Sequence, residues 1–575
     1  MYSFGSLTAV LGAAVTIAAL ASAQQYHSVI NVNPFAQYQP ITGSGGALTQ
    51  ASAVLLAEMN GTTRRSLLMA LFGAPQLMNR SGKHGNGGGS NGGPGVSAGY
   101  SFIRLPMGSC DFSTKNYTYD DLPAGVADDY DMQYFSINND FDLGIIRALQ
   151  EMADVYTSTR TTNTAGGDWS WPRGLKIIAA PWSPPAWMKT GNTLFGSSLQ
   201  SSNDVIAAYA KYFRKFVEEY HIQAGIDVYA VSPQNEPLFS TGNYPSCYLS
   251  PQQEIQLALA IAEEFENSTL IREKIKTKIL IYDHNWNDPQ YPITVFANAS
   301  IAASKWIVGA AFHCYAGNVS AQGQFHAANP SKEVYMTECT GGSWAPDFGS
   351  DLVWDLMNLV AGAPNYWAQG VLKWNLVLDQ NGGPHLPSAC TNCRGEVMYS
   401  TVDGSVTYKE DFYALAHLSV AVSGSSGRQL FRVDNDHAFS GSPLVVLTMA
   451  ENTTLAFGKL ARSGQSAAQT ILVSAGAALV TNQDASNAQT FQLNFQSSVG
   501  NRTCITDPVL SLAPSAVMTL IWDAVVEAAD GSGSSSSGQP PSSTVTAVLT
   551  EGANSTGARL DIVGGATVRI ICPAP

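Results

Sequence analysis

Short apolar runs alternate with longer amphipathic stretches from about residue 41 to residue 380. Eight runs occur, and each ends in polar or aromatic residues: ITGSGGALT, YSFIRLPMGSCDFS, LKIIAAPWSPPAW, IDVYAVSPQNEP, KILIYDHNW, IVGAAFHCYAG, EVYMTECTGG and GVLKWNLVLD. Apolar strands that alternate with amphipathic helices are typical of a parallel sheet, and eight such units indicate a closed barrel. The sequence therefore predicts an α/β fold with a (β/α)8 barrel over residues 41–410.

The segment SSNDVIAAYAKYFRKFVEEY, between the third and fourth runs, has the period of an amphipathic helix. Its large apolar side chains recur at helical spacing: Val205, Tyr209, Tyr212, Phe213, Phe216 and Tyr220. Asn203 or Asp204 is the expected N-cap, because a short polar side chain can accept a hydrogen bond from the first turn. This pattern predicts a helix that connects two parallel strands.

The active site of such a barrel lies at the C-terminal ends of its strands. The ends of the runs carry residues with useful chemistry: Asp111, Trp182, Asn235, Glu236, Asp283, His284, His313, Tyr315, Glu338 and Trp374. Because these ends meet at one face of the barrel, we expect the side chains to converge on one pocket.

Two carboxylates stand out in this set. Glu236 ends the fourth run and Glu338 ends the seventh, so they face one another across the mouth of an eight-stranded barrel. A pair of carboxyl groups on either side of a sugar is the equipment of glycoside hydrolysis, and Asn235 could bond the sugar 2-hydroxyl. Aromatic rings that could stack on sugar faces surround the pair: Trp182, Trp374, Tyr315 and Tyr244.

The motifs APWSPPAWMKT, SPQNEP, FHCY, YMTECTGG and LKWNLVLD resemble glycoside hydrolase family 30, which contains glucosylceramidases and fungal endo-β-1,6-glucanases. The resemblance runs from about residue 30 to residue 525 and implies a retaining mechanism on a barrel with an attached β-sandwich. It implies that Glu236 is the acid/base and Glu338 the nucleophile. It also implies a glucose-binding subsite lined by Asp111, Trp182, Asn235, His313 and Trp374, with Tyr315 nearby.

Two substrate classes compete within this resemblance. RLPMGSCDFSTKNYTYDD is similar to glucosylceramidases, whereas IYDHNWNDPQYP and the segment from FHCYAG to TGGSW are closer to the fungal glucanases. The second set is longer and surrounds Glu338, so we predict β-1,6-glucan as the substrate and keep glucosylceramide as the alternative. A carbohydrate-binding protein on an inactive barrel is a third possibility, which the presence of both carboxylates disfavours.

The pattern changes after residue 410. SPLVVLTMAE, AAQTILVSAG, AQTFQLNFQ and SAVMTLIWDA are short strands between turns, typical of an antiparallel sandwich. We predict a β-sandwich over 411–528, which the strand-like segment 24–40 joins by family resemblance. A Gly/Ser/Pro-rich linker follows at 529–544, and 545–575 is a tail without an assigned role.

The N-terminus and the composition indicate the compartment and the partners. Residues 1–23 end in Ala21-Ser22-Ala23 after an apolar run, which predicts a signal peptide and secretion, with a membrane anchor as the alternative. Nine Asn-x-Ser/Thr sequons fit that route. A net charge of −14 argues against nucleic acid as a partner. We predict a β-linked glucan or a glucosylated lipid as the substrate, and no stable protein partner.

Two features raise the question of a metal. Asp283, His284 and His313 could be ligands, but the retaining hydrolysis implied by the resemblance needs none, so we predict no metal and no cofactor. Cys390 and Cys393 could form half of a metal site, but no second pair has matching spacing. A disulfide within one loop is therefore the expected role of these two cysteines.

Overall fold

The computed structural model describes residues 27–75, 97–160, 174–424, 429–438, 443–451, 469–473, 475–497, 503–507, 509–522, 525–528, 542–550 and 561–572. The predicted signal peptide and most of the predicted linker lie outside these ranges. Within them, no helix has both the length and the apolar character that crossing a membrane requires.

Eight parallel strands close into a barrel, as the eight apolar runs predict. After an initial strand β1 (His27–Ile41), they are β2 (Gly43–Ala47), β3 (Phe102–Pro106), β4 (Lys176–Ala180), β5 (Ala230–Val231), β6 (Lys278–Asn285), β7 (Ile307–His313), β8 (Glu333–Glu338) and β9 (Ala368–Lys373). The barrel closes where β2 pairs with β9. Strand β5 is much shorter than its run, because Pro233 follows it closely and cannot donate to a ladder.

Helices surround the barrel on its outer side. They are α1 (Gln50–Glu58), α2 (Gly61–Phe72), α3 (Asn138–Asp142), α4 (Ile145–Ser158), α5 (Asn203–Ala224), α6 (Pro251–Asn267), α7 (Gln290–Phe296), α8 (Ala299–Ala303), α9 (Ser320–Ala328), α10 (Phe348–Asp355), α11 (Gly362–Asn365) and α12 (Glu410–Gly424), with a 3-10 helix at Ala186–Met188 and π-helical turns at Ile271–Ile275 and Leu356–Val360. A small sheet of β10 (Val377–Asp379), β11 (Val397–Tyr399) and β12 (Val406–Tyr408) follows β9.

Helix α5 confirms the predicted helix but corrects its N-cap. The apolar side chains at helical spacing are all buried against the barrel. Neither Asn203 nor Asp204 is the cap, because both already lie in the helix. Ser202 has the extended backbone of a cap residue, and its side chain accepts a hydrogen bond from the Val205 N–H at 3.3 Å.

A second unit consists of β-strands only. It contains β13 (Leu430–Asn435), β14 (Leu444–Glu451), β15 (Gln469–Val473), β16 (Gly476–Asn482), β17 (Gln489–Gln496), β18 (Thr503–Asp507), β19 (Leu510–Leu512), β20 (Val517–Trp522), β21 (Val525–Ala528), β22 (Ser542–Thr550) and β23 (Asp561–Ile571). Strand β1 pairs antiparallel with β13 and parallel with β17, which is next to the last strand, so the sheet curls back on itself. The remaining pairings are antiparallel, as expected for the attached sandwich.

The structure differs from two of the predicted domain boundaries. Helix α12 spans the boundary at 410/411 and contacts both units: Ser44 Oγ on the barrel donates to the Leu415 carbonyl, and His417 Nδ1 lies 2.8 Å from Thr519 Oγ1 on the sandwich. The predicted tail 545–575 contributes strands β22 and β23 to the sheet, and a disulfide joins Cys504 to Cys572. The tail is therefore part of the sandwich, and β22 begins inside the predicted linker.

Buried charges lie between the barrel and α12. Lys373 at the end of β9 binds Asp355 at 2.6 Å and also contacts Asp411. Glu396 is buried beside them, and a side chain at Gly46 would collide with its Oε1, so the glycine permits this close approach. Burial raises the pKa of Glu396 to about 8, because removal from water disfavours the charged form.

We predict that this burial makes stability fall as pH rises. The pKa of Glu396 is higher in the folded protein than in the unfolded chain, so its contribution is complete in acid and is lost as pH rises towards 8. Between about pH 6.5 and about pH 8 the loss should be about 1–2 kcal/mol, and Tm should fall. Scanning calorimetry over this window should give a shallower fall for Glu396→Gln, whose amide stays neutral.

Glu263→Gln on the exposed face of α6 is the matched control and should leave the slope unchanged. An identical slope in the Glu396→Gln and unchanged proteins would contradict the assignment.

Candidate active site

The structure brings the predicted site residues together at the C-terminal face of the barrel. Each follows or ends a barrel strand: Asp111 after β3, Trp182 after β4, Asn235 and Glu236 after β5, His313 and Tyr315 at the end of β7, Glu338 at the end of β8 and Trp374 after β9. Tyr244 lies in the connection between β5 and α6 and packs against the cluster that contains Trp182 and Trp374. The parallel strands therefore bring residues that are distant in sequence to one pocket.

Arg104 on β3 lies at the centre of this pocket, although the sequence analysis did not single it out. Its guanidinium is fully buried and donates to Asn235 Oδ1 at 2.7 Å, to Asp283 Oδ2 at 2.8 Å and to Glu338 Oε2. Burial alone would lower the pKa of Arg104, but Asp283 and Glu338 raise it above its ordinary value. The sequence does carry a signal for Arg104: it stands in the otherwise apolar strand FIRLP, and a charge in such a strand requires buried partners.

Two indole rings cover the Arg104 guanidinium. Trp182 and Trp374 stack with their ring centroids 4.9 Å apart and their planes 22° from parallel. The guanidinium lies 4.9 Å from the Trp182 ring and 5.6 Å from the Trp374 ring, which suits a cation–π interaction. Both rings are 3% exposed, so they contribute mostly to the wall of the pocket.

Asp283 on β6 is the anion that orders the base of the pocket. It accepts hydrogen bonds from Arg104, from His313 Nε2 at 3.0 Å and from Thr337 Oγ1 at 2.6 Å. Burial would raise the pKa of Asp283, but the Arg104 charge and these donors hold it well below its ordinary value. Asp283 is therefore ionised and fixes the orientation of the His313 ring.

His313 connects Asp283 to Glu236. Because Nε2 faces Asp283, it carries a proton, and Nδ1 lies 3.2 Å from Glu236 Oε1. Burial lowers the pKa of His313, but the surrounding carboxylates raise it to about 9. Burial would in turn raise the pKa of Glu236, whereas His313 and His284, whose Nδ1 is 3.6 Å away, lower it. A protonated His313 therefore faces a Glu236 carboxylate, and its Nδ1 donates to Oε1.

Glu338 has a different set of partners. The Tyr315 hydroxyl donates to Oε1 at 2.8 Å, and Arg104 binds Oε2. Burial and the nearby charge of Glu236 raise the pKa of Glu338 above its ordinary value, although His313, Arg104 and Tyr315 stabilise the carboxylate and limit that rise. The two glutamates therefore have unequal environments: Glu338 accepts from two donors and has a raised pKa, while Glu236 pairs with the His313 imidazole and has a lowered pKa.

Asp111 and Tyr244 complete the acidic side of the pocket. Asp111 Oδ1 is buried without a hydrogen-bond partner among the described residues, and burial with the charge of Glu338 raises the pKa of Asp111 to about 8. Burial, Asp111 and the two glutamates raise the pKa of Tyr244 above its ordinary value. Phe239 stacks on Tyr244 with ring centroids 6.2 Å apart, which extends an aromatic surface away from the pocket.

The backbone turns sharply at this site. Glu236 has a φ of 48°, Tyr282 of 76° and Asp283 of 50°, all in the left-handed region that residues other than glycine rarely adopt. The Glu236 N–H donates to the Asp283 carbonyl at 3.0 Å, so this hydrogen bond links the turn at Glu236 to the turn at Asp283. Such conformations cost about 1–3 kcal/mol each and occur mainly at functional sites. Here they direct Glu236 and Asp283 into the pocket from adjacent strands.

Comparison with known proteins agrees with this geometry. The family description "Glycosyl hydrolase family 30 TIM-barrel domain" matches residues 94–422. The chain belongs to glycosyl hydrolase family 30. It is therefore a glycosidase, as the resemblance of its motifs implied.

Relatives within family 30 include glucanases and glucosylceramidases. An endo-1,6-β-D-glucanase of Neurospora crassa is 29% identical over 73% of this chain and 80% of its own length. A second, from Trichoderma harzianum, is 30% identical over 66% and 69%. The lysosomal acid glucosylceramidase of Mus musculus is 24% identical over 77% of each chain. The solved structure of an endo-β1,6-glucanase has a TM-score of 0.65 at 24% identity, covering 86% of this chain and 94% of its own, and shares the fold.

A disulfide joins the two strand ends that carry the site of this family 30 chain. Cys314 lies between His313 and Tyr315, and Cys339 directly follows Glu338. The bond therefore fixes the β7 end, which contacts both glutamates, to the β8 end, which carries one of them. A second disulfide, Cys390–Cys393, confirms the expected loop disulfide and packs against the Trp182–Trp374 cluster.

We predict that removal of the Cys314–Cys339 bond lowers kcat more than it raises KM. The Tyr315 hydroxyl should lose its fixed position on Glu338, so Cys314→Ala/Cys339→Ala should lose about tenfold to a hundredfold in kcat on an aryl β-glucoside. The matched control is Cys504→Ala/Cys572→Ala, which removes a disulfide in the sandwich and should change Tm but not kcat. Equal kcat values for the two double variants at a temperature where both are folded would contradict this role.

Proposed function

We propose that this family 30 glycosidase is a secreted, retaining endo-β-1,6-glucanase that cleaves β-1,6-glucan through a covalent glycosyl-enzyme intermediate. The observation that carries the proposal is the pair Glu236 and Glu338, held at the ends of opposite strands by one cluster of Arg104, Asp283 and His313. A retaining enzyme requires its two carboxyl groups ~5–5.5 Å apart, and we expect that separation here. The names of the fungal relatives support the linkage.

The proposed first step uses the two glutamates in different roles. A Glu338 carboxylate oxygen attacks the anomeric carbon, the glycosidic bond breaks, and Glu236 gives its proton to the leaving oxygen. In the second step Glu236, now a carboxylate, removes a proton from water, which attacks the anomeric carbon and releases Glu338. The contacts support this division: Arg104 and Tyr315 bind the carboxylate of Glu338, and the raised pKa of His313 makes its imidazole a proton source for Glu236, whose own pKa is lowered.

His313 would regulate the protonation of Glu236. With Nε2 bound to Asp283, Nδ1 can either donate its proton to the Glu236 carboxylate or accept a hydrogen bond from a protonated Glu236. As negative charge develops on the leaving oxygen, the proton moves from His313 Nδ1 to Glu236 and from Glu236 to that oxygen. The proton that Glu236 removes from water in the second step then restores the starting state.

The remaining pocket residues would hold the glucose ring. The side chain of Asn235, oriented by Arg104, is suited to the 2-hydroxyl, and Asp111 Oδ1 is a free acceptor for another hydroxyl. The Trp182 and Trp374 edges and Tyr244 offer apolar contacts to the C–H groups of the sugar. These roles are proposals that follow the resemblance and fit the contacts of each residue.

The mouth of the pocket suits a polar polymer better than acyl chains. Exposed rings lie on three connections after barrel strands: Tyr248 is 39% exposed, Tyr315 is 42% exposed and Trp344 is 54% exposed. Between them stand polar residues, and the connections at 238–248, 316–326 and 341–348 contain no contiguous aliphatic run. A glucosylceramidase would need an apolar surface for two lipid chains, which favours glucan over the glucosylceramide alternative. A purely carbohydrate-binding role would not require two carboxylates in unequal environments.

Secretion is part of the proposal. Residues 1–23 have the pattern of a signal peptide. Three disulfides occur among the described residues, and disulfides persist in oxidising compartments. Both observations support an extracellular enzyme.

We predict that the two glutamates differ in their response to substitution. Glu338→Gln should lower turnover by about 10⁴-fold or more on every substrate, because no covalent intermediate can form. Glu236→Gln should lower it by about 10²–10⁴-fold on β-1,6-glucan but much less on an aryl β-glucoside with a good leaving group, and azide should restore turnover. Steady-state kinetics on both substrates measure this. If Glu236→Gln lost turnover equally on β-1,6-glucan and on the aryl β-glucoside, and azide had no effect, the assigned roles would be wrong.

We predict that β-1,6-glucan is the preferred substrate in a panel with β-1,3-glucan, glucosylceramide in detergent micelles and an aryl β-glucoside. An endo-acting enzyme should release short β-1,6-linked glucose oligomers, visible by chromatography of early time points. Cleavage of glucosylceramide without any attack on β-1,6-glucan would select the alternative substrate and leave the two-glutamate mechanism intact.

A further inference from the structure

A second cavity lies beside the catalytic pocket and shares a loop with it. The cavity has a volume of about 370 Å³, within the ~300–1,000 Å³ range of ligand pockets. Much of its wall comes from the two ends of the 379–395 loop, which follows β10. The rest comes from residues 342–346 after β8, from Met398, and from Lys409 and Glu410. None of these residues takes part in the catalytic roles proposed above.

The 379–395 loop contacts the catalytic pocket directly. The Leu386 N–H donates to the Asp111 carbonyl at 2.9 Å. Cys393, which lines the cavity, also belongs to the apolar cluster of Trp182 and Trp374. The loop therefore contributes to the walls of both the cavity and the catalytic pocket.

The other wall of the cavity is continuous with the strand of Glu338. Gly342 pairs with Cys393 across a single β-bridge, and the Ser343 N–H donates to the Asn392 carbonyl at 2.9 Å. Trp344 in this segment is the most exposed ring of the mouth. Ser343 and Ala345, the neighbours of Trp344, line the cavity. A polysaccharide that leaves the catalytic pocket across Trp344 would therefore reach the cavity directly.

The lining of the cavity favours an uncharged ligand rich in hydroxyl groups. Its charged side chains balance, with Arg394 and Lys409 against Asp379 and Glu410, and Arg394 pairs with Glu410. The balance gives no preference for an anion or a cation. The other polar groups are the amides and hydroxyls of Gln380, Asn381, Thr391, Asn392 and Ser343, which can both donate and accept.

We propose that this cavity is an accessory binding site for a neutral polysaccharide chain. The inference rests on the proposed function, because it assigns the second contact to the same polymer that the catalytic pocket cleaves. A second contact on one chain raises the effective concentration of the scissile bond at the pocket, so it increases kcat/KM for long substrates only. Small substrates that occupy the pocket alone gain nothing from it.

Two variants test the site without touching the proposed catalytic groups. Thr391→Trp fills the cavity from an exposed position, and Lys409→Met removes a donor from its wall. Each should lower kcat/KM on β-1,6-glucan by about fivefold, the cost of one or two lost hydrogen bonds, and leave kcat/KM on an aryl β-glucoside unchanged. Val402→Trp, at a surface position that is 85% exposed and outside the cavity, is the control and should behave as the unchanged enzyme.

The outcomes separate this site from the proposed substrate. Unchanged kcat/KM on the polymer in both variants, or equal losses on polymer and aryl glucoside, would overturn the accessory site. Failure of the unchanged enzyme to cleave β-1,6-glucan would contradict the proposed substrate instead. The same variants would then be compared on whichever polymer of the panel is cleaved, with the same expected split between long and short substrates.

Discussion

The buried charge of Arg104 is the interaction on which the catalytic face depends. One guanidinium contacts an amide and two carboxylates that come from three other strands, and two indoles enclose it. Loss of one partner from a buried ion pair typically costs about 3–5 kcal/mol, because the other charge is left uncompensated. Arg104 therefore does more than neutralise charge. It fixes Asn235, Asp283 and Glu338 relative to one another before any substrate binds.

The charges around Arg104 explain why the two glutamates differ. Asp283 accepts from Arg104 with Oδ2 and from His313 with Oδ1. The position of the guanidinium therefore fixes the orientation of the imidazole. His313 then faces Glu236 with Nδ1, while Glu338 remains on the Arg104 side. Two chemically identical side chains thus acquire different proton affinities from one continuous set of contacts. The proton on His313 lies within reach of Glu236, and two donors hold the carboxylate of Glu338, which suits the proposed acid/base and the proposed nucleophile.

The sequence predicted the barrel well because its signal is local and repeated. Eight apolar runs became eight strands, and the period of the α5 segment became a buried helix face. The residues at the ends of these runs then predicted most of the residues of the pocket. Arg104 was missed because it stands inside a strand, where an isolated charge gives no hint of its partners. The cap at Ser202 was misassigned by one or two residues, since several neighbouring polar residues are equally good caps in sequence.

Disulfides and strand pairings between distant parts of the chain were harder to infer than individual helices and strands. Nothing local indicates that Cys314 binds Cys339, or that residues near 570 return to the sheet beside β18. The proposed mechanism depends above all on one carboxylate, Glu338. Incubation with a 2-deoxy-2-fluoro-β-glucoside that carries a good leaving group, followed by proteolysis and mass spectrometry, tests it most directly. We expect one added 2-fluoroglucosyl group per chain on the peptide that contains Glu338, whereas a label on Glu236 or another residue would contradict the account.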